Sequence, residues 1–357
     1  MKVSIAKISG HGSNLRSTAA VVKNALRAEP AHYDRQLPRE KALGLFQRHV
    51  ALIEVETTSY CNRTCSFCPN SFIDRRSEKQ VMPEACWQGI VSDLRAIDYS
   101  GSFHWSRYSE PTSEERIVDR IADVRRAAPR CRIGIDSNGD YLDAEYIERL
   151  VAAGLNRLWV DVYLPNDDAY DLVTARQHLN RFLKRIGKTT AITIGTEPAL
   201  HSHVEWPGLE LAVSVRNLVT LKRSDLSDRG GLIQIARRTS RTAPCFSPFK
   251  NVTIDWDGSV ALCCQIRSDA NTHHDAIVGK IGENGMGLIE AYVALAGWRD
   301  ALKSFGPKPG PCGSCNVFEY APTKSAVVAA DLLARETVPG TRLLKFAATR
   351  LLKRGRR

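Results

Sequence analysis

The stretch ALIEVETTSYCNRTCSFCPN (residues 51–70) decides how the rest of the chain is read. Its opening, ALIEVET, is apolar and β-branched, which predicts a strand. The remainder is a loop carrying Cys61, Cys65 and Cys68, separated by three and then two residues. Thiols spaced this tightly point to metal ligation, and thiolates suit both zinc and iron–sulfur clusters. Three ligands are one short of a closed structural site. One metal position is then left open, and open positions do chemistry.

Working outward from that loop, strand and helix signals alternate. A helix is expected over residues 82–97, with Pro83 suited to its first turn. A strand near 101–108 leads to a helix near 113–127, with Ser113 as a candidate N-cap. CRIGIDS (131–137) reads as a strand, and AEYIERLVAAG (144–154) as a helix closed by a glycine. RLWVDVYL (157–164) is a strand and 167–186 a helix. TTAITIG (189–195) is a fifth strand, and a sixth is expected within 211–221. Such alternation argues for βαβ units and a parallel sheet. The expected fold class is α/β, a partial (β/α)6 barrel with functional loops at the C-terminal ends of its strands.

After Arg229-Gly230-Gly231 the pattern breaks. Residues 245–320 are rich in Cys, Gly and Pro, and VTIDW, Asp257-Gly258 and SVALCC signal a hairpin. Four segments are therefore expected: a helical lead-in (1–47), the barrel (48–231), a small cysteine-rich domain (232–320) and a basic tail (321–357).

The charge sharpens this division. The chain has 357 residues and a net charge of +11, which invites a nucleic-acid reading. Residues 322–357 hold nine basic and two acidic side chains, so they carry +7 of that charge. Only one aromatic, Phe346, accompanies them after Tyr320, so stacking on bases is not favoured. LLKFAATRLLKRGRR at the C-terminus instead reads as an amphipathic helix ending in a frayed basic segment. Apolar residues at 43% and charged residues at 25% are ordinary globular values and exclude wholesale disorder. The opening MKVSIAKISGHGSNLR has no apolar run fit for a signal peptide, and no stretch approaches the ~20 residues of a membrane span. A cytoplasmic protein without a transmembrane segment is expected.

The ten cysteines are too few for a disulfide scaffold and are clustered. Cys61, Cys65 and Cys68 form one group; Cys245, Cys263, Cys264, Cys312 and Cys315 form another. Cys86 and Cys131 stand apart and read as core residues. His273-His274-Asp275 looks catalytic but falls in a polar loop, where an ordinary surface role is expected. Trp105, Arg107 and Tyr108 lie near the end of the second strand and are placed to line a pocket, although alternate residues must face the helices.

The run Cys61-x3-Cys65-x2-Cys68 resembles the CX3CXφC signature of the radical S-adenosylmethionine (SAM) superfamily, with Phe67 at the φ position. That resemblance implies a [4Fe–4S] cluster on the three thiolates, SAM on its fourth iron, and a 5′-deoxyadenosyl radical that abstracts a substrate hydrogen. Tyr108-Ser109-Glu110-Pro111 is similar to the family's Gly-Gly-Glu-Pro, although both glycines are replaced, and it implies that Ser109 and Glu110 contact SAM. Asp136-Ser137-Asn138-Gly139 resembles the family's Thr-Asn-Gly turn, which makes Asn138 a further contact. Asp161 and Tyr163 are candidates for the SAM ribose or the substrate. The Cys245-x12-Gly258-x4-Cys263 spacing, completed by Cys312-x2-Cys315, resembles the SPASM/twitch family. It implies one auxiliary [4Fe–4S] cluster on Cys245, Cys263, Cys312 and Cys315; a zinc ribbon is the alternative. Cys264 is left spare, either as a hydrogen donor to a product radical or as a small buried apolar residue.

The resemblance implies an oxidoreductase acting on an alcohol carbon of a sugar or aminocyclitol. An epimerase using Cys264 and a modifier of ribosomal peptides are the alternatives. The partners it implies are a small-molecule substrate, or else a peptide, and an external one-electron reductant such as flavodoxin or ferredoxin.

Overall fold

The computed structural model describes residues 28–165, 170–217, 226–236 and 240–317. The start of the lead-in and the expected amphipathic tail lie outside the described residues. Helix α1 (Arg39–His49) precedes β1 (Leu52–Val55). Then come α2 (Glu84–Ile97), β2 (Ser102–Trp105), α3 (Ile117–Ala127), β3 (Arg132–Ser137), α4 (Ala144–Ala152), β4 (Arg157–Tyr163) and α5 (Leu172–Arg185). Three strands follow, β5 (Ile192–Gly195), β6 (Leu200–Trp206) and β7 (Leu209–Arg216). The cysteine-rich segment adds β8 (Asn251–Ile254), β9 (Ser259–Ala261), β10 (Ile277–Lys280), α6 (Leu288–Ala294) and α7 (Ala296–Leu302).

All ten strands form one sheet, in the order β10-β9-β8-β1-β2-β3-β4-β7-β6-β5. The run from β8 through β1, β2, β3 and β4 to β7 is parallel. The α/β class and the open, barrel-like parallel sheet are as expected. The fifth strand is not where the periodicity put it. β5 pairs antiparallel with β6, and β6 with β7, at the far edge. Only residues 196–199 separate β5 from β6, too few for the crossover of a dozen or more residues that a parallel partner needs. Ile192 and Ile194 are correspondingly exposed on this edge. The sixth parallel position is filled from the other side, where β8 runs beside β1 with Ile53 opposite Val252. The sheet thus continues into the cysteine-rich segment. Val252, Ile254, Leu288 and Tyr292 share one core with the barrel residues.

The strands sort their side chains by face. Ile53 and Val55, Phe103 and Trp105, Ile133 and Ile135, Leu158 and Val160 are buried in that core. Ile90, Leu94 and Ile121 from α2 and α3 are buried in the same core. Each such fully buried side chain contributes about 1.5–3 kcal/mol. The intervening positions, Glu54, Asp136 and Asp161 among them, face the inside of the curved sheet. Helix starts shift by local capping. Pro83 is the N-cap of α2 rather than part of its first turn. Ser113 does not cap α3: residues Pro111–Ser113 form a separate 3-10 turn capped by the Glu110 side chain, and α3 begins at Ile117. α5 starts at Leu172 because the Asp171 side chain accepts from the Thr174 amide. Among the described residues no helix is long and apolar enough to cross a membrane.

Candidate functional site

At the C-terminal ends of the parallel strands a cavity of about 270 Å³ is lined by all three thiols of the first loop. The loop has no room to wander. The Cys68 amide donates to the Cys65 carbonyl at 2.9 Å, and the Cys61 amide to the Arg75 carbonyl at 3.2 Å. Arg63 grips Asp140 through two contacts of 2.6 Å, which ties the loop to the turn after β3. Phe67 packs against Tyr163 of β4 with ring centroids 5.1 Å apart. Burial pushes the Cys61 thiol up to about 12 and Cys65 up to about 11, so metal binding must release protons here. Among the described residues no group of three or more His, Cys, Asp or Glu converges to hold a single ion. The thiols ring a space instead, and an all-sulfur donor set fits an iron–sulfur group better than a hard cation.

The segments flanking the loop are braced by carboxylates. Glu56 accepts the amides of Tyr108 at 2.8 Å and Ser109 at 2.7 Å, which curls Tyr108-Ser109-Glu110-Pro111 over the cavity. The Glu110 carboxylate accepts from the Thr112 amide and hydroxyl, from Ser137 Oγ at 2.8 Å and from the Asn138 amide at 2.7 Å. Burial raises its pKa against those four hydrogen bonds, which lower it. Asn138 spends its amide group on Asn62, at 2.8 Å. Gly139 sits at φ +78, and a Cβ there would meet Val160 at 2.6 Å, so this turn requires glycine. Asp161 is paired with Arg216 and also accepts from Trp159 Nε1 at 3.2 Å. Ser109, Glu110, Asn138, Asp161 and Phe67 all line the cavity.

Cys245, Cys263, Cys312 and Cys315 are gathered beside this cavity. The Cys263 thiol is raised well above its usual range, by burial first and then by the nearby sulfurs of Cys264, Cys245, Cys312 and Cys315. Arg241, fully enclosed, donates to the carbonyls of Ala243 at 3.1 Å, Pro244 at 3.0 Å and Val317 at 2.6 Å, which closes the backbone around the four thiols. Gly258, at φ +89, makes the hairpin turn, and a Cβ there would meet Cys86 Sγ at 2.9 Å. Cys86 and Cys131 are core residues, as expected. The adjacent cysteines face different surroundings. Cys263 sits among the second thiol set, whereas Cys264 lines the first cavity and accepts from Gln265 Nε2 at 3.4 Å.

The sequence reading did not find the buried ionic lattice that joins the two thiol sites. Arg107 pairs with Asp255, and both side chains are fully enclosed. Arg75 bridges Glu56 at 3.2 Å and Asp269 at 3.0 Å, and Arg267 holds Asp269 at 2.6 Å. Arg267, Arg107, Arg229 and Arg75 surround the Tyr108 ring at 4.6, 5.5, 5.5 and 6.0 Å. The one available signal was Glu54 and Glu56 interrupting an otherwise apolar strand. Arg107 and Tyr108 line the cavity as expected, but Trp105 turns to the core and donates to Thr57 at 3.1 Å. His273 corrects the surface expectation. It is buried, accepts from the Arg267 amide at 3.1 Å and lies 3.1 Å from the Gly230 carbonyl, so it fastens two loops together.

A family model described as the radical SAM superfamily matches residues 55–199, and one described as an iron–sulfur cluster-binding domain, SPASM, matches residues 245–316. The chain is 25% identical over 270 residues to the S-adenosyl-L-methionine-dependent 2-deoxy-scyllo-inosamine dehydrogenase of Niallia circulans, covering 74% of this chain and 92% of that protein. It is 26% identical over 168 residues to the GTP 3′,8-cyclase of Paenarthrobacter nicotinovorans, covering 44% and 45% of the two chains. The crystal structure of BtrN in complex with AdoMet and 2-DOIA superposes with a TM-score of 0.50 at 22% identity, covering 71% of this chain and 87% of that one, a likeness of fold.

Proposed function

The chain belongs to the radical SAM superfamily and carries a SPASM-type iron–sulfur domain, and from that premise we propose that it is a dehydrogenase oxidising an alcohol carbon of an aminocyclitol or sugar. The similarity to the 2-deoxy-scyllo-inosamine dehydrogenase, which runs along 92% of that protein, carries this reading. The fit of the residues supports it. Cys61, Cys65 and Cys68 would hold the first [4Fe–4S] cluster, and Cys245, Cys263, Cys312 and Cys315 one auxiliary cluster. With SAM bound, the first cluster supplies a 5′-deoxyadenosyl radical that takes a hydrogen atom from a substrate carbon.

The chain's own groups do the rest. Phe67, Ser109, Glu110, Asn138 and Asp161 form the SAM-facing wall of the cavity. Glu110 orients that wall by tying the turns after β2 and β3 together. The functional division falls near residue 231, with the barrel presenting SAM and substrate and residues 232–320 presenting the auxiliary thiols. The protein takes electrons from an external one-electron donor of the flavodoxin or ferredoxin kind.

A second reading rests on Cys264, which lines the cavity. Burial pushes its thiol up to about 11, so it stays protonated and can donate a hydrogen atom, as an epimerase needs. Anaerobic reconstitution separates the two. The dehydrogenase reading expects about eight irons per chain and, from 2-deoxy-scyllo-inosamine, ketone in step with 5′-deoxyadenosine. Accumulation of 5′-deoxyadenosine without an oxidised product counts against it. Inversion abolished by Cys264→Ala with SAM cleavage intact favours the epimerase.

A further inference from the structure

Oxidising H–C–O–H to C=O removes a hydrogen atom, a proton and one electron, and the proton needs an acceptor at the cavity wall. Most charged groups there are already engaged. Glu110 holds four donors. Asp161 is paired with Arg216. Asp136 Oδ1 has no hydrogen-bond partner among the described residues, but it lies 3.1 Å from His104 Nε2 and its side chain is 42% exposed. Glu54 on β1 differs. It lines the cavity and is 8% exposed. Its Oε1 accepts from Ser106 Oγ at 2.9 Å, while its buried Oε2 has no hydrogen-bond partner among the described residues. A buried carboxylate oxygen left without a donor is costly, and a ligand hydroxyl relieves that cost.

Resting on the dehydrogenase reading, we propose that Glu54 is a catalytic residue that accepts the substrate hydroxyl proton on Oε2. The Ser106 hydrogen bond fixes the carboxylate and leaves one oxygen for substrate. The substrate C–H hydrogen would go to the 5′-deoxyadenosyl radical that bound SAM supplies. The O–H proton goes to Glu54, forming the carboxylic acid. Cys245, Cys263, Cys312 and Cys315 would hold the iron–sulfur group that would accept the one remaining electron as the C–O bond becomes C=O. Glu54 is placed for this: it lines the same cavity as Cys264, the chain neighbour of Cys263.

The test uses the full-length, reconstituted and reduced protein with SAM and 2-deoxy-scyllo-inosamine, measuring ketone and 5′-deoxyadenosine separately. Glu54→Gln keeps the shape of the side chain and should lower ketone formation by roughly 10²–10⁴-fold while 5′-deoxyadenosine release persists. In Glu54→Ala, added formate should restore part of the ketone. A Glu54→Gln protein within about threefold of wild type overturns the assignment while leaving the dehydrogenase reading in place. Formate rescue in Asp136→Ala instead of Glu54→Ala also overturns it. If Glu54→Gln fails to retain iron, Glu54→Asp decides: ketone must persist above the Glu54→Ala level, and equal loss in both overturns the proposal. Wild-type protein that releases 5′-deoxyadenosine but oxidises neither this probe nor any of a panel of aminocyclitols and sugars brings down the dehydrogenase reading and this assignment together.

Discussion

The two thiol sites are built in opposite ways. The first places three cysteines on eight consecutive residues, and its loop opens onto a cavity rimmed by charged groups. The second collects four cysteines from 71 residues of chain, and the enclosed Arg241 closes the backbone around them. The first is a local device whose geometry is set by a strand end and a few loop hydrogen bonds. The second exists only after β8 has docked on β1 and residues 310–315 have returned to meet Cys245 and Cys263. Openness belongs with reaction and enclosure with electron storage, and the proposed function divides the two sites in that way.

Breaking the local site should have the largest effect. Cys65→Ala should abolish 5′-deoxyadenosine formation, by roughly 10³-fold or more, and remove about half of the reconstituted iron, as read by product analysis and iron counting. Retained SAM cleavage would mean that the first loop is not the reactive site. Cys312→Ala tests the other half and should act on a different readout. It should remove about half of the iron yet leave 5′-deoxyadenosine formation within roughly tenfold of wild type, while ketone is lost. Equal loss of both products would erase the proposed division of labour. The smallest effect is expected at the joint between the sites. Arg75→Met leaves Glu56 and Asp269 without their bridging guanidinium, and a broken buried pair costs about 3–5 kcal/mol. Chemical denaturation should show that loss, with both clusters still assembled at low temperature. An unchanged midpoint would show that the lattice is not what joins the regions.

The legibility of the molecule follows the same contrast. The strand before Cys61, the spacing of the first thiols and four strand–helix units could be read directly, because each depends on residues close in sequence. The hairpin turn at Gly258 and the core positions of Cys86 and Cys131 were legible for the same reason. The edge placement of β5 was not, because its local pattern is that of any strand and only the short link to β6 rules out a parallel partner. His273 looked like surface because its partners, Gly230 and the Arg267 amide, come from loops that meet only in the fold.

By itself, the sequence determined the donor atoms: which thiols stand together, that three lie on one short loop, and that most of the net charge lies in residues 322–357. Tertiary structure alone decided what those atoms face. It set Cys264 on the wall of the first cavity, and it satisfied Glu110 while leaving Glu54 Oε2 without a partner among the described residues. The reason is physical. Spacing sets which ligands can reach a common point, but burial and hydrogen-bond partnership depend on neighbours supplied from distant parts of the chain.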